Sequence, residues 1–201
     1  MSALLSSAEG AEDDAADGED VIRRAAPTSS DVVVGVAASG RTPYTVAAIS
    51  AGAAAGALTL GIANNPDTPL LAAAAHPIFL DTGAEIVAGS TRMKAGTAQK
   101  IALNTFSTAV MLRIGRVHAG LMIDMRASND KLRDRAAAMV GTLAKVDRDV
   151  ARDALARTAG DVRLATLVAR GASPDKAEAV LHGVDGDLRE ALRKLSDTDP
   201  S

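Results

Sequence analysis

Three short apolar runs, each bounded by turn residues, mark the first half of the chain. They cover residues 31–38, 58–63 and 76–81, and continuous runs of this length are typical of strands buried on both faces of a parallel sheet. The segment between the first two predicts a helix from residue 45 to about residue 55. Strands that alternate with helices are typical of α/β folds, in which right-handed crossover connections leave successive strands parallel. The sequence therefore predicts an α/β fold with three parallel strands.

The apolar pattern changes to helical spacing after the third run. Residues 92–115 predict a long helix whose apolar residues surround most of its circumference: Ile101, Leu103, Phe106, Val110 and Leu112. A helix that is apolar nearly all round is normally buried, so we expect it to pack against the sheet and against another helix or a second subunit. Residues 129–144 predict a further helix, and residues 147–195 predict short helices broken at glycines and Pro174.

The segment ahead of the first strand is acidic and predicts a helix over residues 7–25. Glu9, Glu12 and Asp13 have the spacing i, i+3 and i+4, which places three carboxylates along one helix face. Spacing alone favours a solvated helix end, where the dipole stabilises negative charge. The chain is therefore expected to comprise an acidic helix at 1–30, an α/β domain at 31–145 and a small helical region at 146–201.

Composition and charge narrow the classes of function. The chain has no cysteine and only three aromatic residues, which excludes disulfides and thiolate chemistry and argues against base stacking. The net charge is −3, but residues 32–126 carry seven bases against four acids. A mild local excess without a basic stripe favours one small phosphorylated ligand over nucleic acid. The uncharged stretch 44–65 predicts a helix and a buried strand, not a membrane span.

Two segments combine hydroxyls with the expected start of a helix. Ser39, Gly40, Arg41 and Thr42 follow the first strand, with Thr42 as a candidate N-cap and Pro43 at the first helical position. Such a turn at the carboxyl end of a parallel strand either cradles a phosphate or is an ordinary strand-to-helix turn. Ser90, Thr91, Arg92 and Lys94 stand in the sequence GSTRMKAGTAQK at the mouth of the long helix, which suits an anion.

Other chemistries find little support. His76, His118 and His182 are far apart and have no carboxylate at metal-ligand spacing, so no metal site is expected. A nucleophile elbow and a glycine-rich dinucleotide fingerprint are both missing. The residues alone indicate an α/β binder of a sugar phosphate or another anion.

Four motifs together resemble one known family. EGAEDD at 9–14, DVVVGVAASGRTPY at 31–44, GSTRMKAGTAQKIALNTFST at 89–108 and GLMIDMRASNDKL at 120–132 resemble the N-acetylmuramic acid 6-phosphate etherases. The resemblance implies a sugar isomerase (SIS) fold, a doubly wound parallel sheet, with a ubiquitin-associated-like helical bundle at the C-terminus. It further implies a cytoplasmic homodimer that cleaves the D-lactyl ether of N-acetylmuramic acid 6-phosphate while cell-wall sugars are recycled.

The same resemblance assigns roles to residues. Glu12 matches one of two glutamates that exchange protons with the substrate, Ser39 and Thr42 match phosphate ligands, and Ser90 and Thr91 match a later binding loop. Arg92 and Lys94 are the expected charge partners, and no metal or redox cofactor is required. Family members carry a longer upstream segment with the other glutamate and a first strand, so a truncated start and an uncovered sheet edge are expected. The alternative is a non-catalytic sugar-phosphate sensor, as in the related glucokinase regulatory proteins.

Overall fold

A computed structural model describes residues 10–125, 127 and 129–197, and these form two compact units that meet in sequence between Asn104 and Thr105. The first unit contains a three-stranded sheet with helices. The second contains a short hairpin and a bundle of helices. Each unit is described by itself.

The acidic segment of the first unit is not one continuous helix. A 3-10 turn spans Ala11–Asp13, and helix α1 begins only at Ala15 and ends at Ala25. The Asp14 side chain caps α1 by accepting a hydrogen bond from the backbone N–H of Asp17 at 3.0 Å. The predicted helix face of three carboxylates is therefore wrong for Glu12 and Asp13, which lie in the turn; Glu9 lies outside the described residues.

The predicted parallel sheet is confirmed. Strands β1 (Val32–Val36), β2 (Leu58–Ala63) and β3 (His76–Phe79) pair in the order β1-β2-β3, with Val34 opposite Leu60 and Ile62 opposite Ile78. Two helices connect the strands: α2 (Pro43–Ala54) and α3 (Pro69–Ala73). The sequence predictions missed α3, whose five residues are too few to show helical periodicity. The architecture is α/β and is consistent with a partial SIS-type fold.

Helix α2 covers one face of this sheet, and the opposite face is covered only in part, since Leu60 and Ile62 are buried there but the first residues of β1 and β2 are exposed. A Cβ atom added at Gly52 of α2 would lie 2.9 Å from Val33 Cγ2, so helix and strand approach closely, and the core of this layer is Ala37, Ile49 and Leu70. On the opposite face, Val32 is 50% exposed and its neighbour across the ladder, Leu58, is 44% exposed. The unit thus carries apolar surface that none of its described elements buries.

Helix α4 (Lys94–Arg113) confirms the prediction of a long helix but contradicts the prediction of its burial. Ala95 is its one fully buried residue in the part of the chain that the structure describes, and Ile101 is 60% exposed. Its apolar residues are spread around the circumference, so packing along one side would leave the others in water. A helix of this pattern needs neighbours on several sides, and the described elements do not supply them.

Among its described residues, the second unit contains the end of α4, a hairpin and five further helices. Strands β4 (Val117–His118) and β5 (Leu121–Met122) pair antiparallel around Ala119 and Gly120, which both have positive φ, as a two-residue hairpin loop requires. The hairpin was not predicted from the sequence. Asp124 forms an ion pair with Arg116 at 2.8 Å across the base of the hairpin, and its ion pair with Arg163 at 3.5 Å attaches the segment after the hairpin to the bundle.

The helical tail agrees with the prediction of short helices separated by glycines. The helices are α5 (Asp130–Ala144), α6 (Arg148–Arg157), α7 (Val162–Ala169), α8 (Pro174–His182) and α9 (Leu188–Asp197). A side chain caps the start of each of these helices, and one large cluster containing Val140, Leu167 and Leu188 forms their core. Among the described helices, none is both long enough and apolar enough to cross a membrane.

Candidate functional site

A cleft of about 460 Å³ lies where the three strands of the sheet end. Ser39 follows β1, Asn64 follows β2 and Thr82 follows β3, and all three line the cleft together with Ser90 and Thr91 from the loop before α4. The carboxyl ends of parallel strands are where open α/β sheets bind ligands. The structure therefore brings together three of the hydroxyl residues that the sequence proposes: Ser39, Ser90 and Thr91.

The turn from β1 to α2 has a fixed backbone. Gly40 has a φ of 64°, and a Cβ there would lie 2.3 Å from the Oγ1 atom of Thr68, so only glycine fits. Its N–H donates to the carbonyl of Ala37 at 2.9 Å, and its own carbonyl accepts from the N–H of Leu70 at 3.0 Å. These constraints hold Ser39 at the end of β1, where it faces the cleft.

The other residues of this turn are not brought into the same cleft. Arg41 lines a second cavity, of about 730 Å³, with Asp67, Thr68 and Phe79. Thr42 occupies the N-cap position of α2, as predicted, but its side chain makes no capping hydrogen bond. Neither Gly40 nor Thr42 is among the residues that line the Ser39 cleft.

Asn64 ties three elements together at the base of the cleft. Its Nδ2 atom donates to the carbonyl of Leu80 at 3.1 Å, and its Oδ1 atom accepts from Nε2 of Gln99, on α4, at 2.8 Å. The neighbouring Asn65 donates from Nδ2 to the carbonyl of Ala38 at 3.1 Å. Sequence reasoning treated these asparagines only as turn residues, although polar residues directly after a buried strand are a usable signal for a site.

The mouth of helix α4 differs from the expected open anion site. Oε1 of Glu85 accepts hydrogen bonds from the backbone N–H groups of Lys94, at 2.9 Å, and Ala95, at 3.2 Å. The Nζ atom of Lys94 donates to the carbonyl of Ala84 at 2.7 Å. A carboxylate of the chain itself thus occupies the helix N-terminus, and the ammonium of Lys94 is held by a backbone carbonyl. Neither Lys94 nor Arg92 lines the cleft.

Glu12 is exposed and is not among the residues that line the Ser39 cleft. The 3-10 turn that carries it contacts α2, the helix that begins directly after Thr42. The structure therefore places Glu12 on an element that contacts α2 but does not bring it into the cleft with Ser90 and Thr91. Among the described residues, no three histidines or carboxylates gather as a metal site would require.

Comparison with known proteins gives a consistent result. A protein from Deinococcus radiodurans, named N-acetylmuramic acid 6-phosphate etherase, is 49% identical over 94% of this chain and 63% of its own length. Proteins of the same name from Streptomyces avermitilis and Halalkalibacterium halodurans are 46% and 40% identical, over 62% and 65% of their lengths. The chain thus spans a little under two thirds of these relatives. A search against models of protein families gave no match.

Proposed function

Because this chain belongs to the family of the N-acetylmuramic acid 6-phosphate etherases, we propose that it forms part of an enzyme that splits N-acetylmuramic acid 6-phosphate into N-acetylglucosamine 6-phosphate and D-lactate. The enzyme would act in the cytoplasm, on sugars recycled from the cell wall. The observation that carries the proposal is the 49% identity over 94% of the chain, and the hydroxyl-lined cleft supports it.

The cleft suggests how the phosphate of the substrate is held. Ser39, Ser90 and Thr91 line one cleft, and a hydroxyl can donate a hydrogen bond to a phosphate oxygen. Arg41, Arg92 and Lys94 then act at longer range, by making the surroundings of the cleft positive, since none of them lines it. Gly40 contributes its conformation, and Thr42 contributes the start of α2.

The reaction is an elimination followed by a hydration. With the sugar ring open, the C1 aldehyde acidifies the proton on C2, and a carboxylate removes it. The electron pair forms a C2–C3 double bond, and the C3–O bond breaks as lactate leaves and takes a proton from an acid. Water then adds across the double bond, which restores the hydroxyl at C3 and the proton at C2.

We assign one of the two proton-transfer roles to Glu12 and the other to a carboxylate in the third of the relatives' length that has no counterpart here. General acid–base catalysis needs positioned carboxylates and no metal or redox cofactor. The position of Glu12 outside the walls of the cleft fits a site that is completed by further chain. The uncovered apolar face around Val32 and Leu58 is where such chain can pack.

The test compares the 201-residue chain with the same chain joined to the missing third of the Deinococcus relative. Each is incubated with N-acetylmuramic acid 6-phosphate, and released D-lactate is measured. We expect little lactate from the chain alone and turnover from the joined protein. In the joined protein, Glu12→Gln should lower the rate about 100-fold or more, whereas Asp13→Asn, in the same turn, should have little effect.

Full turnover by the chain alone would show that the missing third is not needed. Equal rates for Glu12→Gln and Asp13→Asn would remove Glu12 from the mechanism. A joined protein that binds the sugar phosphate but releases no lactate would indicate the sensor function instead.

We also propose that the protein forms a homodimer, with a second copy covering α4. The helix exposes Ile101, Phe106 and Leu112, and apolar surface of this extent favours a protein interface. Sedimentation of the joined protein should give the mass of a dimer. Phe106→Glu should shift it towards the monomer, whereas Val150→Glu, a change at an exposed apolar residue of α6, should not. A monomer before any substitution would contradict this proposal.

A further inference from the structure

The loop that carries Ser90 and Thr91 is not held in place by buried side chains. Its apolar residues are largely in water: Ile86 is 93% exposed, and Val87 and Met93 are each 68% exposed. A surface loop without an apolar anchor keeps one conformation only if hydrogen bonds fix it. The position of the two hydroxyls therefore depends on the polar contacts at the ends of the loop.

Those contacts centre on Glu85. One carboxylate oxygen accepts from the N–H groups of both Lys94 and Ala95, and so joins the two ends of the loop. The Nζ atom of Lys94 donates to the carbonyl of Ala84, which forms a further link between the two ends of the loop. The carbonyl of Thr91, in the loop, accepts a hydrogen bond from the N–H of Gly96, in α4, at 2.8 Å.

Glu85 also changes the electrostatics at the start of α4. The first N–H groups of a helix and its dipole attract an anion. Here a carboxylate already takes two of those donors, and charge-assisted bonds of this kind are stronger than neutral ones. A phosphate could bind at the helix end only by displacing Glu85. The hydroxyls of Ser39, Ser90 and Thr91 remain available to it in the same cleft.

We propose that Glu85 is a positioning residue of the sugar-phosphate site. It joins the two ends of the loop of residues 86–93 and so holds Ser90 and Thr91 opposite Ser39. It also occupies the N-terminus of α4, so that the phosphate does not bind there. Of the residues that line the cleft, it is the one carboxylate in the part of the chain that the structure describes. The inference rests on the proposed function for the identity of the ligand, but the loop closure is independent of it.

The first test measures hydrogen exchange of single amides in the 201-residue chain by NMR. Glu85→Ala should raise the exchange rates of the Lys94 and Ala95 amides about tenfold, because both lose their acceptor. Glu85→Gln keeps a carbonyl oxygen and should stay within about threefold of the unsubstituted chain. The control is Asp147→Ala, which removes a similar double cap from α6 and should affect the amides of Asp149 and Val150 instead.

The second test measures by calorimetry the affinity of the joined protein, described under the proposed function, for N-acetylglucosamine 6-phosphate. Glu85→Ala should weaken binding about tenfold, Glu85→Gln should recover most of it, and Asp147→Ala should leave it unchanged. Inorganic phosphate should restore the protection of the Lys94 and Ala95 amides in Glu85→Ala, because it can then occupy the vacated helix end.

The outcomes separate the two proposals. Unchanged exchange in Glu85→Ala would overturn the loop closure, and faster exchange with unchanged sugar-phosphate affinity would overturn the positioning role. If the unsubstituted joined protein binds neither N-acetylglucosamine 6-phosphate nor inorganic phosphate, the sugar-phosphate site itself fails, and with it this role for Glu85.

Discussion

The helical bundle and the parallel sheet of this protein bury their apolar residues to very different degrees. Helices α5–α9 enclose one large core cluster that includes Val140, Val162, Leu167 and Leu188, and each of these four is at most 1% exposed. The core cluster of the sheet layer contains only three buried residues: Ile49 and Leu70 are 0% exposed, and Ala37 is 9% exposed. The bundle thus completes its core with its own helices, whereas the face of the sheet opposite α2 is buried at Leu60 and Ile62 but left exposed at Val32 and Leu58.

This difference matters because the candidate site lies on the sheet unit, whose apolar residues are less completely buried. Val32, Leu58 and Phe79 are exposed on the sheet layer, whereas Val150 is the one large exposed apolar residue among the described residues of α5–α9. Exposed apolar surface on a sheet with an open edge promotes pairing with other chains. The unit that carries Ser39 and Ser90 therefore depends more on further polypeptide than the bundle does.

The strongest test of this contrast removes the same side chain from each unit. Leu167→Ala should destabilise the bundle by about 3 kcal/mol, because the side chain is fully buried and leaves a cavity. Leu58→Ala should cost the sheet less than about 1 kcal/mol, because much of that side chain is already in water. Urea unfolding followed by NMR signals from each unit gives both values. Equal losses would mean that the two cores are closed to the same degree.

A second comparison concerns glycines with positive φ in the two units. Gly40→Ala should destabilise the sheet unit by about 3 kcal/mol, since the left-handed backbone and the contact with Thr68 both oppose a Cβ. Gly160→Ala should cost the bundle only about 1 kcal/mol, because its φ is also positive but no atom lies within 4 Å of the added Cβ. Similar losses of stability in the two variants would show that the contact of the added Cβ with Thr68 does not destabilise the protein.

The elements of the fold were largely predictable because their signals are local. The apolar run at 58–63 corresponds to β2, and the glycine breaks of the tail separate α6, α7, α8 and α9. The short α3 and the β4–β5 hairpin escaped prediction because five residues and two pairs of residues are too few to set a period. The burial of α4 was wrongly predicted because apolarity shows that a helix needs neighbours, not that the chain supplies them.

The candidate site was predictable only in part, for a related reason. Ser39, Ser90 and Thr91 were found because hydroxyls beside glycine at a strand-to-helix junction form a local pattern. Glu85 was missed because its two acceptor contacts join residues nine and ten positions apart in sequence, and no local pattern marks them. The same long-range closure turned Lys94 away from the cleft, which spacing alone cannot indicate.

The smallest expected effect distinguishes two exposed carboxylates, one in each unit. Hydrogen bonds from the backbone N–H and the hydroxyl of Thr28 lower the pKa of Asp31. A hydrogen bond from Arg152, followed by the charge of Arg148, lowers the pKa of Asp134. At pH values above the ordinary carboxyl pKa of about 3.8, each carboxylate contributes to the stability of its unit. This contribution is lost as the pH falls through the lowered pKa of the folded state.

Salt should affect these two pKa values differently. The Asp134 pKa depends on two cations at an exposed site, so it should rise towards its ordinary value in about 1 M salt. The donors to Asp31 are neutral, so its pKa should change much less. Carboxyl-carbon NMR titrations at low and high salt measure both, and Arg152→Gln should raise the Asp134 pKa while leaving that of Asp31 unchanged. If salt changed both pKa values equally, the charges of Arg148 and Arg152 would not be the cause of the lowered Asp134 pKa.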